Sequence, residues 1–127
     1  IDDRAVQPDR PRKSVGAEDT FAIDIHDLAA ACTELKPLAE KVWRYCDEKG
    51  LFGKTVTLKI KFADFQQITR SRTTLAPVSG ASELNEIGAS LLSAVFPVEK
   101  GIRLLGITVS NFQVTEPDAA EQLRLEI

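Results

Sequence analysis

The chain has 127 residues, enough for one domain, and 43% of them are hydrophobic, enough for a core that needs no disulfide or metal staple. Its 19 acids outweigh its 16 bases for a net charge of −3, which as a sum argues against a nucleic-acid partner. No apolar run approaches a membrane span and no basic segment leads into an apolar one as in a secretory signal, so a cytoplasmic setting with no membrane partner is expected.

The first residue is Ile1 rather than Met, so a fragment or a processed chain is expected. Residues 1–12 are polar and carry Pro8 and Pro11, the composition of an extended linker. Ser14 to Ile25 reads as a strand, and Asp24 or Asp27 can cap the helix after it. Leu28, Ala31, Leu35, Leu38, Val42 and Tyr45 recur at helical spacing as far as Lys49, and Gly50 terminates the helix. Pro37 removes a hydrogen bond inside that helix and predicts a kink or two short helices meeting at Lys36–Pro37. Cys32 and Cys46 fall in the same segment, about 21 Å apart along a helix axis, too far for a disulfide. They read as small buried hydrophobes of a reducing compartment.

Lys54 to Phe62 alternates cleanly. Val56, Leu58, Ile60 and Phe62 form an apolar face, and Thr55, Thr57, Lys59 and Lys61 form a basic and hydroxylic one. A turn near Asp64–Gln66 leads to a second strand, from Gln67 to Leu75, rich in β-branched threonine. Arg70 and Arg72 cannot both be buried, so they are expected on the open face with Lys59 and Lys61. After a loop at Pro77–Ala81, Ser82 is expected to cap an amphipathic helix marked by Leu84, Ile87, Leu91, Leu92, Val95 and Phe96 and stopped by Pro97. A last strand runs from Ile102 to Phe112, with Leu105, Ile107 and Val109 inward. The order strand-helix-strand-strand-helix-strand predicts an α+β fold. Two helices cover one face of a four-stranded, mostly antiparallel sheet and leave the other face open.

Charge distribution matters more than its sum. From Lys54 to Leu75 five cations face Asp64 alone, whereas acids collect in the first helix and the tail. No catalytic constellation accompanies this: His26 is the lone histidine and sits beside a helix cap, no Gly-rich phosphate loop or nucleophile elbow occurs, and no acids pair as metal ligands. Arg12-Lys13-Ser14-Val15-Gly16 offers cations, a hydroxyl and exposed backbone N–H groups, which suit phosphates; on its own it reads rather as a polar linker joining a strand. An RNA-binding module of similar layout stacks bases on exposed sheet aromatics, whereas here Phe62 has inward parity and the open face lacks Tyr and Trp.

Three blocks in order, Arg12–Gly16, Val56–Gln67 and Gly101–Val109, resemble the little-finger domain of Y-family DNA polymerases. The turn Asp64-Phe65-Gln66-Gln67 resembles the bacterial DNA polymerase IV type in particular. The resemblance implies a C-terminal domain, residues 13–112, that grips the template-primer duplex by phosphate contacts during damage bypass. It lies beside a catalytic core that residues 1–12 link to it. By position, the resemblance assigns DNA contacts to Lys13, Ser14 and Gly16 in the first strand. It assigns others to Arg70, Ser71, Arg72 and Thr73 in the third strand, and to Arg103 and Thr108 in the last. The parity of the second strand adds Lys59 and Lys61. The chain departs from more basic members at Ala17 and Leu104. The resemblance places the family's catalytic carboxylates and their Mg²⁺ in the core, so no catalytic residue and no cofactor are expected in this segment. Residues 113–127 are expected to be a flexible tail. Its Gln122, Leu123, Leu125 and Ile127 resemble the peptide by which bacterial polymerases dock on the sliding clamp, although that peptide often ends in an aromatic. Clamp docking is thus the alternative function.

Overall fold

The computed structural model describes residues 14–112. Its elements are β1 (Ser14–Ile25), α1 (Leu28–Lys49), β2 (Gly53–Phe62), β3 (Gln67–Thr73), α2 (Ala81–Ser93) and β4 (Ile102–Phe112). The sheet order is β1-β4-β2-β3 and every neighbouring pair is antiparallel. The expected α+β architecture, its order of elements and its single layer of helices are all present. β2 and β4 sit in the centre, where their alternating apolar residues meet the helices.

Burial follows the alternation. Val56, Leu58 and Ile60 of β2 and Ile102, Leu105, Ile107 and Val109 of β4 pack on Ala31, Leu35, Leu38, Ala39 and Val42 of α1 and Leu84, Ile87, Leu91 and Leu92 of α2. Removing such buried apolar area from water is the main force holding the layers together. Cys46 is buried and Cys32 half-buried, both as free thiols; burial pushes the pKa of each upward, and nearby Asp27 adds to the effect at Cys32. Among the described residues no helix is long and apolar enough to cross a membrane.

Three local expectations need correction. Of the two outcomes expected at Pro37, the division into two short helices does not occur: α1 runs from Leu28 to Lys49 through it, with Leu35 and Leu38 on either side both anchored in the core. Ser82 does not cap α2. The cap position is Gly80, and Glu83 instead reaches back to accept from the Ser79 backbone N–H at 2.8 Å and the Ser79 hydroxyl at 3.0 Å. β3 ends at Thr73: the Thr74 N–H still meets the Lys54 carbonyl opposite it, but the Thr74 hydroxyl is engaged with the carbonyls of Lys54 and Ala76, and Leu75 lies outside the strand. At the start of α1, Asp27 is the cap, its Oδ2 accepting from the Ala30 N–H at 2.9 Å, and Gly50 closes the other end in the left-handed conformation.

Candidate functional site

Residues directly opposite one another in an antiparallel pair project to the same side of a sheet. The register therefore arranges the helix-free face in four rows, each crossing β1, β4, β2 and β3 in turn. The first row is Ser14, Ser110, Thr55 and Thr73; the second is Gly16, Thr108, Thr57 and Ser71. The third is Glu18, Gly106, Lys59 and Thr69, and the fourth is Thr20, Leu104, Lys61 and Gln67. Serine and threonine fill most of these positions. The hydroxyls are held in place by one another: Thr55 and Thr73 share a hydrogen bond of 2.9 Å, as do Thr57 and Ser71. In each pair one hydroxyl has spent its proton and can only accept further, while the other keeps its proton for an acceptor in solvent.

Two glycines leave this face hollow in the middle. A Cβ on Gly16 would stand 2.5 Å from Thr108 Oγ1 and 3.2 Å from the Ile107 carbonyl, so only glycine allows β1 to lie this close to β4. A Cβ on Gly106 would come within 3.1 Å of Glu18 Cβ. With no side chain there, Glu18 and Lys59 meet across β4 at 2.7 Å. The result is a shallow depression lined by Ser14, Gly16, Glu18, Thr57, Lys59, Gly106 and Thr108, in which Gly16 is exposed and Gly106 forms the buried floor. Leu104, in register with Thr20 and Lys61, is only 8% exposed and stands apart from the core cluster.

The structure brings Ser14, Gly16, Lys59, Lys61, Ser71, Thr73 and Thr108 onto one face, as expected. It does not put Arg70 and Arg72 there. Arg70 pairs with Leu58 and Arg72 with Val56, so both lie on the helix side of β3. Their charge is tolerated because β3 is an edge strand: both side chains stay exposed, Arg70 Nη1 donates to the Thr69 carbonyl at 2.8 Å, and Arg72 Nη2 donates to Ser90 Oγ of α2 at 3.1 Å. Arg103 sits at an irregularity, where the register passes from Leu104 opposite Lys61 to Ile102 opposite Phe62. Its guanidinium lies 5.1 Å from the centre of the Phe65 ring and 3.6 Å from Asp24 Oδ1. Lys13 and the tail residues Gln122, Leu123, Leu125 and Ile127 fall outside the described residues.

Two residues that shape the site escaped sequence reasoning. Glu18 places a carboxylate on the open face, and only the β1-β4-β2 strand order reveals its partner. Phe65, at the β2–β3 turn, is 65% exposed and adopts φ 70°, a left-handed conformation that costs a bulky residue about 1–3 kcal/mol. The turn is fixed by hydrogen bonds from the Phe65 N–H to the Phe62 carbonyl (2.8 Å) and from the Phe62 N–H to the Gln66 carbonyl (2.9 Å). Asp64 Oδ1 accepts from the Gln66 N–H at 3.1 Å and its Oδ2 accepts from Lys100 at 2.5 Å. The Lys100 hydrogen bond, with help from the Gln66 N–H, holds the Asp64 carboxyl below the ordinary carboxylate pKa, and the same contact raises that of Lys100. Among the described residues no group of three or more His, Cys, Asp or Glu is placed to hold a metal ion.

Residues 12–125 match the family model described as the impB/mucB/samB family C-terminal domain. Similar curated proteins include "DNA polymerase IV 3" of Mesorhizobium japonicum, 61% identical across the whole chain, and "DNA polymerase IV 2" of Agrobacterium fabrum, 52% identical across the whole chain. The chain spans 35% and 36% of their lengths. Among solved structures, a Y-family DNA polymerase chimera superposes with a TM-score of 0.73 at 15% identity, over 84% of this chain and 30% of that one. A DNA polymerase IV little finger domain, solved in complex with a beta-clamp processivity factor, superposes with a TM-score of 0.66 at 22% identity, over 81% of this chain and 92% of that one. These superpositions establish a shared fold.

Proposed function

The chain belongs to the impB/mucB/samB family of C-terminal domains, and on that footing we propose that its helix-free sheet face grips a DNA duplex by the sugar-phosphate backbone, as the C-terminal third of an error-prone DNA polymerase that copies damaged templates. The observation that carries the reading is the four-row face itself. Its hydroxyls, two lysines and the backbone exposed at Gly16 are phosphate-binding groups, and they lie on one accessible surface. Backbone contacts of this kind carry no sequence information, which suits a protein that must hold damaged and varied sequences alike. Ser14, Gly16, Lys61, Ser71, Thr73 and Thr108 make the contacts, with Lys13 and Arg103 extending them beyond the face and Lys59 held back by its ion pair with Glu18. Arg70 and Arg72 contribute only a positive rim along the β3 edge. Catalytic carboxylates and their Mg²⁺ belong to the remainder of the longer protein.

Neutralising phosphates releases counterions, so log affinity should fall linearly with log salt, by about 0.9 per phosphate contacted. Fluorescence anisotropy with a labelled duplex between about 50 and 200 mM salt measures that slope. Charge reversal at Lys61 and Arg103 together should flatten it by roughly two contacts and weaken every duplex sequence to a similar degree. Binding that is indifferent to salt, or that survives the reversal intact, refutes the reading.

A second reading is favoured by the resemblance in fold to the little finger solved with a beta clamp: residues Gln122 to Ile127 dock the polymerase on its sliding clamp. Deleting them should abolish clamp capture and leave duplex affinity unchanged. Capture that persists after the deletion rules the peptide out.

A further inference from the structure

We propose that Phe65, Lys61 and Arg103 form a platform for an unpaired nucleotide, the base stacking on the Phe65 ring and its phosphate meeting the two cations. The inference rests on the duplex-gripping face proposed above and extends it by one position. The ring is displayed to solvent by a turn that the Phe62, Gln66 and Asp64 hydrogen bonds hold in a conformation unfavourable to phenylalanine. Nothing in the packing of the core demands that arrangement, because Phe65 lies outside the buried cluster and its partly buried margin. Lys61 Nζ stands over the ring at 6.0 Å and Arg103 Cζ at 5.1 Å from its centroid, so a base that stacks there takes the place of a cation over the ring and leaves that cation beside its phosphate.

An exposed aromatic flanked by cations suits single-stranded nucleic acid, whose bases present free π-faces beside a charged backbone. Bases inside a duplex are already stacked and offer no such surface. The position agrees: Lys61 belongs to the last row of the open face, and Phe65 lies just past the end of β2. A strand leaving a duplex held on that face reaches the ring where its pairing ends.

The test compares the 127-residue chain on two DNAs of one duplex sequence, one blunt and one carrying a short single-stranded overhang with 2-aminopurine as its first unpaired base. The overhang should tighten binding on the order of tenfold and quench the 2-aminopurine. Phe65→Ala should erase both effects without changing blunt-duplex affinity, and Phe65→Trp should preserve them. Phe65→Gly guards against misfolding, since glycine accepts the left-handed φ at no cost, and it should behave like the alanine variant. If wild type gains nothing from the overhang, or if Phe65→Ala and Phe65→Gly weaken blunt and overhang DNA equally, the platform is wrong. Overhang binding that stays Phe65-dependent while blunt-duplex binding is absent would support the platform and sink the duplex face instead.

Discussion

Among the described residues Glu18 is the one carboxylate in the four rows of the face proposed to meet phosphates, and its neutralisation offers a graded test. Its Oε1 stands 2.7 Å from Lys59 Nζ, with the two side chains 52% and 36% exposed. An ion pair this solvated contributes only about 0–1 kcal/mol to folding, so Glu18→Gln should leave the thermal midpoint nearly unchanged. For DNA the effect is larger. Lys59 is freed to neutralise one further phosphate, which steepens the salt slope by about 0.9. At 0.1 M salt that contact is worth roughly eightfold in affinity, and at 0.05 M roughly fifteenfold. Anisotropy titrations of wild type and variant at several salt concentrations measure both quantities. An unchanged slope with unchanged affinity would mean that Lys59 does not reach the backbone and that the face is not where the duplex lies.

Further expectations follow from the packing and from the turn. Gly16→Ala forces a methyl group against Thr108 Oγ1 and should cost about 1–3 kcal/mol in chemical denaturation, with much of the loss recovered when Thr108→Ala is added. Leu58→Ala empties a fully buried site between the sheet and the helices and should cost about 2–5 kcal/mol by the same measurement. The Asp64 carboxyl, held charged by Lys100 and the Gln66 N–H, should titrate below its usual value by NMR, and Lys100→Met should move it back up. Because its folded pKa is depressed, its stabilisation of the turn is present above the unfolded pKa of about 3.9 and is lost as pH falls through the lower folded value. An Asp64 that titrates normally in the wild type would show that the Lys100 contact does not persist in solution.

The fold was legible where burial is one-sided. β2 is central and packs helices on one face only, so its alternation separates Leu58 from Lys59 without ambiguity, and the layer order follows. β3 was misjudged for the converse reason. As an edge strand only partly covered by α2 it can leave arginines exposed on either side, so the premise that Arg70 and Arg72 must share the open face does not hold; Ile68, opposite Ile60, marks the helix side instead. Glu18 was illegible because its partner is two strands away in the sheet and more than forty residues away in the chain. Phe65 was quoted as part of a turn, but nothing in its neighbours' identities reveals a left-handed aromatic; a sharp turn between two strands was the available signal. The reach of Glu83 back to Ser79 depends on where α2 starts, one residue before the serine that the sequence offers as a cap.

The most direct test is an NMR titration of the backbone amides with an unlabelled duplex of arbitrary sequence. Shifts confined to the sheet, strongest along the rows through Gly16, Thr108, Thr57 and Ser71 and through Gly106 and Lys59, are the expected result. Shifts concentrated on α1 and α2, with that face silent, would contradict it.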